Sequence, residues 1–202
     1  MKLYEAPSPN ARRVHVFLAE KGLEIDREQV DLRSAENLGE EHLRRNPAGR
    51  VPVLELDDGS FLSESVAICR YLDAVHPEPA LFGSTPEEIG AVEMWNRRAE
   101  LNFLMNVAMG FRNLTGFFKD RETCVEEWGQ VAAETAASSV AMFDDHLASN
   151  RFLAGDTFTV ADITFGVGYE FAQRVKVVPL PESPNVARYL SELGERASWG
   201  AS

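Results

Sequence analysis

In the first part of the chain the apolar positions change period several times, and each change marks an element. Lys2 to Ala6 is a short β-like run that Pro7, Ser8, Pro9 and Asn10 break, after which Ala11, Val14, Phe17 and Leu18 recur at helical spacing up to a stop at Gly22. Arg27 to Leu32 alternates charged and apolar side chains through Val30 and Leu32, which predicts a second strand. A polar segment with a short helix over Glu40 to Arg45 then leads to Pro52. Val53 and Leu54 predict a third strand, and Asp57 to Ser60 a tight turn into Phe61 and Leu62. Ser63, Glu64 and Ser65 stand directly before a helical pattern at Val66, Ile68, Tyr71, Leu72 and Val75. The order β, α, β, α, β, β, α predicts an α/β unit on a mixed four-stranded sheet, with a parallel portion where strands alternate with helices.

Beyond Val75 the strand signal disappears. His76 to Pro79 and Gly83 to Pro86 are rich in breakers, so the first domain is expected over residues 1–76, a linker over 77–86 and an all-helical domain over 87–202. Thr85, Pro86 and Glu88 form a capping box that opens a helix reaching about Phe118, with Gly110 and Gly116 available to bend or end it. A second helix is expected from Cys124 to Ala148, with Trp128, Ala132, Ala136, Val140, Phe143 and Leu147 on one face. Thr159 and Asp162 then predict a further helix start, with Phe158 stapled to Ile163, and Ser183 with Pro184 opens a last helix.

Composition narrows the partners. The chain has 202 residues, enough for one large or two small domains, with 32 acidic against 20 basic side chains and a net charge of −12. Neither half is basic, which argues against nucleic acid and anionic membrane as partners; an anionic ligand would need local cations, for which Arg12, Arg13 and Arg50 are available. No run of apolar residues is long enough to span a membrane and the start carries no apolar leader, so a cytoplasmic protein is expected. Cys69 and Cys124 form no CxxC or metal spacing and the four histidines are isolated, so no metal is expected. Cys69 shares a helical face with Ser65 and Leu72 and reads as a small core residue.

Two sequence features carry chemistry. Pro52 lacks the N–H of a central strand, so it belongs at the strand's first position, and a cis Val51–Pro52 bond would leave the Val51 N–H and C=O open to an extended peptide. Glu64 and Ser65 stand at a helix start, where free N–H groups and a partial positive charge favour an anion. Read alone, Glu64 is a solvated carboxylate and Ser65 a helix cap. Together with Val51, Pro52 and the strand order, they resemble the cytosolic glutathione S-transferases, in the bacterial, theta-like or disulfide-reductase-like classes. The resemblance covers nearly the whole chain and includes the Thr159 to Asp162 capping segment.

The resemblance implies a thioredoxin-like first domain, an all-α C-terminal bundle, a homodimer and glutathione as co-substrate. It implies that Val51 pairs with the cysteinyl part of glutathione beside cis-Pro52, that Glu64 and Ser65 hold the γ-glutamyl end, and that Arg50, with Asn37, meets the glycyl carboxylate. Ser8, with Arg12 four residues on, matches the activating serine of theta-like members; Asn10, after Pro9, matches the amide of disulfide-reductase-like members. As residue types alone, Ser8 before Pro9 is equally a helix N-cap, and the two roles are compatible. No cysteine occurs before Cys69, which removes the classes that use a cysteine. Phe103, Asn106, Met109 and Arg112 are expected to wall the acceptor pocket, although a Met and Phe stripe is also what a core needs. Three functions follow: transfer of glutathione to an apolar electrophile, glutathione-dependent disulfide or peroxide reduction, and a non-catalytic binding or assembly module.

Overall fold

Strands β1 (Lys2–Glu5), β2 (Asp26–Gln29), β3 (Val53–Glu55) and β4 (Phe61–Ser63) form one sheet in the order β2-β1-β3-β4. In the computed structural model, which describes residues 1–201, this sheet belongs to a first unit running from Met1 to Ala80 and joined by the terminal segment from Ala197 onward. β1 is parallel to β2, while β1 with β3 and β3 with β4 are antiparallel. The parallel pair needs a crossover, and α1 (Pro9–Lys21) supplies it. β2 stops before Val30, earlier than the alternation suggested. Its partner β1 ends at Glu5, whose carbonyl takes one last bond from the Val30 N–H (2.7 Å).

Gly22 ends α1 at φ 63°, and the Leu23 N–H reaches back to the Leu18 carbonyl at 2.9 Å. A short turn at Glu36–Leu38 precedes α2 (Glu40–Arg45), and α3 (Ser65–Val75) follows β4. Leu3, Val14, Phe17, Leu54, Ile68 and Leu72 are fully buried, which places the core of this unit between the sheet and the helices α1 and α3. The buried ammonium of Lys21 pairs with Asp73 at 2.6 Å and donates to the His76 carbonyl, fastening the end of α1 to the end of α3. Arg12 donates to the carbonyls of Trp199 and Ala201, which attaches the terminal segment to this unit.

The second unit, Leu81 to Arg196, is helical. The capping box of Thr85 and Glu88 starts α4 (Pro86–Arg98), which passes through a π-helical segment, Ala99–Leu104, into α5 (Met105–Thr115). Gly116, at φ 62°, ends that run; α5 continues through Gly110, where an added Cβ would lie 3.4 Å from the Cβ of Ala133 on α6 (Glu126–Leu147). On α6 the buried face begins at Gly129 and not at Trp128, which is half exposed. A side chain at 129 would lie 2.9 Å from Asn113 and Leu114, so only glycine lets the two helices close there. Helix α7 (Val160–Val175) is the central one, buried along most of its length, and α8 (Pro184–Gly194) packs beside α6.

At the start of α7 the Asp162 carboxylate accepts four bonds, from the N–H groups of Leu153 and Thr159 (both 2.8 Å) and the hydroxyls of Thr159 (3.0 Å) and Tyr189 (2.9 Å). Burial nevertheless pushes its pKa up to about 6 against the lowering effect of those donors. No helix among the described residues is long and apolar enough to cross a membrane.

Candidate functional site

The site of the first unit is built where α1, the β3 entry and α3 begin. Ser8, at extended φ −157° and ψ 157°, caps α1 by accepting from the Ala11 N–H at 3.1 Å. A hydroxyl has one proton and two lone pairs, so this cap leaves the proton for another acceptor. Asn10 is exposed, and its Oδ1 accepts a long bond of 3.4 Å from Arg13 Nη1, leaving the amide nitrogen as a donor. The same Nη1 donates to Ser65 Oγ at 2.6 Å. Arg13 is 1% exposed and brings a buried positive charge between Asn10 and Ser65, residues 55 apart in sequence by their own numbers.

Ser65 is the first residue of α3 and 5% exposed, so the donors of that helix start and the Arg13 charge converge on one small volume. Glu64 precedes it at φ 69° and ψ 112°, a left-handed conformation costly for a residue with a side chain, and its carboxylate is exposed.

The Val51–Pro52 peptide is cis, and β3 starts only at Val53. Among the described residues no backbone hydrogen bond uses the Val51 N–H or C=O. The loop before it is held from within: Asn37 Nδ2 donates to the Gly49 carbonyl (2.7 Å), and His42 Nε2 and Asn46 Nδ2 both reach the Arg50 carbonyl (3.0 and 2.9 Å). Asn37 is therefore a buried brace of this loop, whereas the Arg50 side chain is exposed. Cys69, wholly buried one helical turn beyond Ser65, has its thiol pushed up to about 12 by burial and is a core residue.

The expected acceptor residues lie in the second unit. Phe103 is fully buried, stacked on Tyr169 (5.8 Å between centroids) and tilted against Phe165 (5.2 Å), so it packs the core of the bundle. Asn106 donates to the carbonyls of Leu101 and Asn102 beside the π-helical segment. Met109 is half-buried; Arg112 pairs with Glu122 and lies 4.6 Å from the Phe118 ring. Among the described residues no cluster of His, Cys, Asp and Glu has the geometry of a metal site.

Sequence reasoning counted Arg13 only as an available cation, and gave no role to His42 or Asn46. Their partners lie across turns or a 52-residue separation that periodicity does not encode.

The glutathione S-transferase N-terminal domain family matches residues 7–75, and the C-terminal domain family matches residues 121–192. Glutathione S-transferase 2 of Saccharomyces cerevisiae is 36% identical, over 98% of this chain and 87% of its own length. A glutathione S-transferase domain-containing protein from Marinobacter aquaeolei superposes with a TM-score of 0.95 at 37% identity, covering 98% of this chain and 100% of its own. Gtt2 from Saccharomyces cerevisiae superposes at 0.94 with 35% identity over 99% of both chains. Since one matched segment contains the Val51 to Ser65 stretch and the other the capping turn at Thr159, the chain belongs to the glutathione S-transferase family of enzymes.

Proposed function

We propose that the protein transfers glutathione to a small apolar electrophile. The observation that carries this reading is the bond from buried Arg13 to Ser65 Oγ, because it leaves the Ser65 proton and the α3 N–H groups to receive the γ-glutamyl carboxylate beside a fixed positive charge. The γ-glutamyl ammonium donates to Glu64, the cysteinyl backbone lies along Val51 at Pro52, and the glycyl carboxylate meets Arg50, behind which Asn37 braces Gly49. A free thiol with a pKa near 8.5 is mostly protonated at neutral pH. A donor hydrogen bond to sulfur at the start of α1 favours the thiolate, and Ser8 is the first candidate for that donor. The thiolate then attacks the electrophile, forming a carbon–sulfur bond while the leaving group departs or the carbanion is protonated. Asn106, Met109 and Arg112 are the residues we assign to the acceptor side, while Phe103 is buried against Phe143, Phe165 and Tyr169.

The alternative, glutathione-dependent reduction of a disulfide or peroxide, is favoured by one observation: Arg13 fixes the Asn10 carbonyl oxygen and so leaves its amide as a donor. Two free cysteines suit a reducing compartment such as the cytoplasm. Homodimer formation is the state that the exposed apolar side chains Phe61 on β4, Met94 on α4, Leu101 in the π-helical segment and Met105 on α5 support. Calorimetric titration with glutathione is the first test. Saturable binding that Glu64→Ala weakens supports the reading, and no binding at millimolar glutathione leaves only the assembly-module reading.

A further inference from the structure

The Arg50–Val51 peptide unit is planar, so the direction of its carbonyl fixes the direction of the Val51 N–H on its opposite side. Two buried side chains hold that carbonyl. Asn46, 3% exposed, donates at 2.9 Å from Nδ2, and its Oδ1 accepts the Ala48 N–H at 3.0 Å, which fixes the amide's orientation. His42, 2% exposed, meets the same oxygen from Nε2 at 3.0 Å; a carbonyl only accepts, so the proton is on Nε2. The other ring nitrogen, Nδ1, is buried with no hydrogen-bond partner. An imidazole in that place carries an uncompensated polar atom that a phenyl ring of similar shape would not carry. Its one polar return is the bond to the Arg50 carbonyl.

We infer that His42, together with Asn46, is a positioning residue for glutathione: the pair aims the Val51 N–H at the cysteinyl carbonyl of the bound tripeptide. The inference rests on the reading that glutathione docks along Val51. The device is rigid because both donors come from one short stretch, α2 and its C-cap, which closes on itself through the Asn46 N–H to His42 carbonyl bond of 2.9 Å. Neither side chain touches the ligand. Their effect is on the entropy of the docking edge, which the free protein has already ordered before binding.

The stability and binding consequences separate. His42→Phe keeps the ring volume and removes the unpaired Nδ1, so the melting temperature should hold or rise. The glutathione dissociation constant should increase roughly five- to tenfold, the effect of one lost hydrogen bond on the docking geometry. His42→Gln, whose amide nitrogen reaches about as far as Nε2, should restore wild-type binding. Asn46→Asp, which keeps the Ala48 bond and loses the donor, gives a second and independent route to weaker glutathione binding. Isothermal titration with glutathione and thermal melts are run on all four proteins, with Glu64→Ala as the control for the site itself. Weaker binding in His42→Phe and Asn46→Asp with recovery in His42→Gln supports the inference. Unchanged binding in folded His42→Phe and Asn46→Asp, with Glu64→Ala impaired, overturns it while leaving the proposed function intact; no effect of Glu64→Ala overturns both.

Discussion

Arg13 Nη1 donates to Ser65 Oγ at 2.6 Å, and this single bond joins α1 to the first residue of α3 in the interior of the first unit. On the proposed reading an anionic tripeptide needs local positive charge on a chain of net charge −12, and Arg13, buried beside Ser65, is a cation that solvent screens little. Arg13→Leu should therefore weaken glutathione binding by about 1.5–3 kcal/mol, the usual contribution of a hydrogen bond to a charged group. Arg13→Lys should recover part of this, since an ammonium keeps the charge but not the planar fork. Calorimetry on both variants decides it, and wild-type affinity in Arg13→Leu would remove Arg13 from the site.

Glu64 offers a case in which stability and function oppose each other. Its φ of 69° is a conformation that glycine adopts freely, so Glu64→Gly should stabilise the fold by about 1 kcal/mol. On the proposed reading the same change removes the acceptor for the γ-glutamyl ammonium and should weaken glutathione binding by about 1.5–3 kcal/mol. Glu64→Ala should show the weaker binding without the stability gain. A loss of stability in Glu64→Gly would mean that the backbone here is not strained.

The contrast between these residues explains what the sequence disclosed. Glu64 and Ser65 were readable because a helix start has a local signature, and Gly22 and Gly116 because a left-handed stop is a one-residue property. The succession of four strands and three helices in the first unit followed from the changes of period. Trp128 and Gly129 were not separable by periodicity, since adjacent positions lie about 100° apart and the choice depends on Asn113 and Leu114 of a different helix. The π-helical segment at Ala99–Leu104 had no sequence signal at all. Likewise, the bond of Arg13 depends on a partner in α3, and that of His42 on a backbone oxygen, so neither shows in residue type.

Asp162 makes the second unit pH-sensitive in a definite direction. Its pKa is about 6 in the folded state, raised from the ordinary 3.8 by burial. The folded protein therefore holds the proton more tightly than the unfolded chain. This contribution to stability is fully present below about pH 4 and is lost as pH rises through about 6, a change of about 3 kcal/mol. Asp162→Asn cannot titrate, so the wild type should lose stability relative to it across that interval. Denaturant melts at a series of pH values measure the difference, and a constant difference from pH 4 to 7 would show that the four donors keep Asp162 ionised throughout.

The two residues proposed as thiol activators, Ser8 and Asn10, share the start of α1 and its partial positive charge. Each has a donor left over: the Ser8 hydroxyl accepts from Ala11 and keeps its proton, and the Asn10 carbonyl is engaged by Arg13 while its amide is not. Removing the one that touches sulfur should raise the thiol pKa of bound glutathione, with each unit equal to about 1.4 kcal/mol. Removing the other should leave that titration in place and cost stability through the helix start, by about 1 kcal/mol for the Ser8 cap. Thiolate absorbance against pH, followed at saturating glutathione in Ser8→Ala and Asn10→Ala, separates the two. A shift in Ser8→Ala alone assigns the activator and favours transfer to an electrophile; a shift in Asn10→Ala alone leaves Ser8 with the helix cap as its one role and moves the reductase reading ahead. If neither variant moves the titration, the donor to sulfur belongs to neither residue, and the assignment of both is wrong.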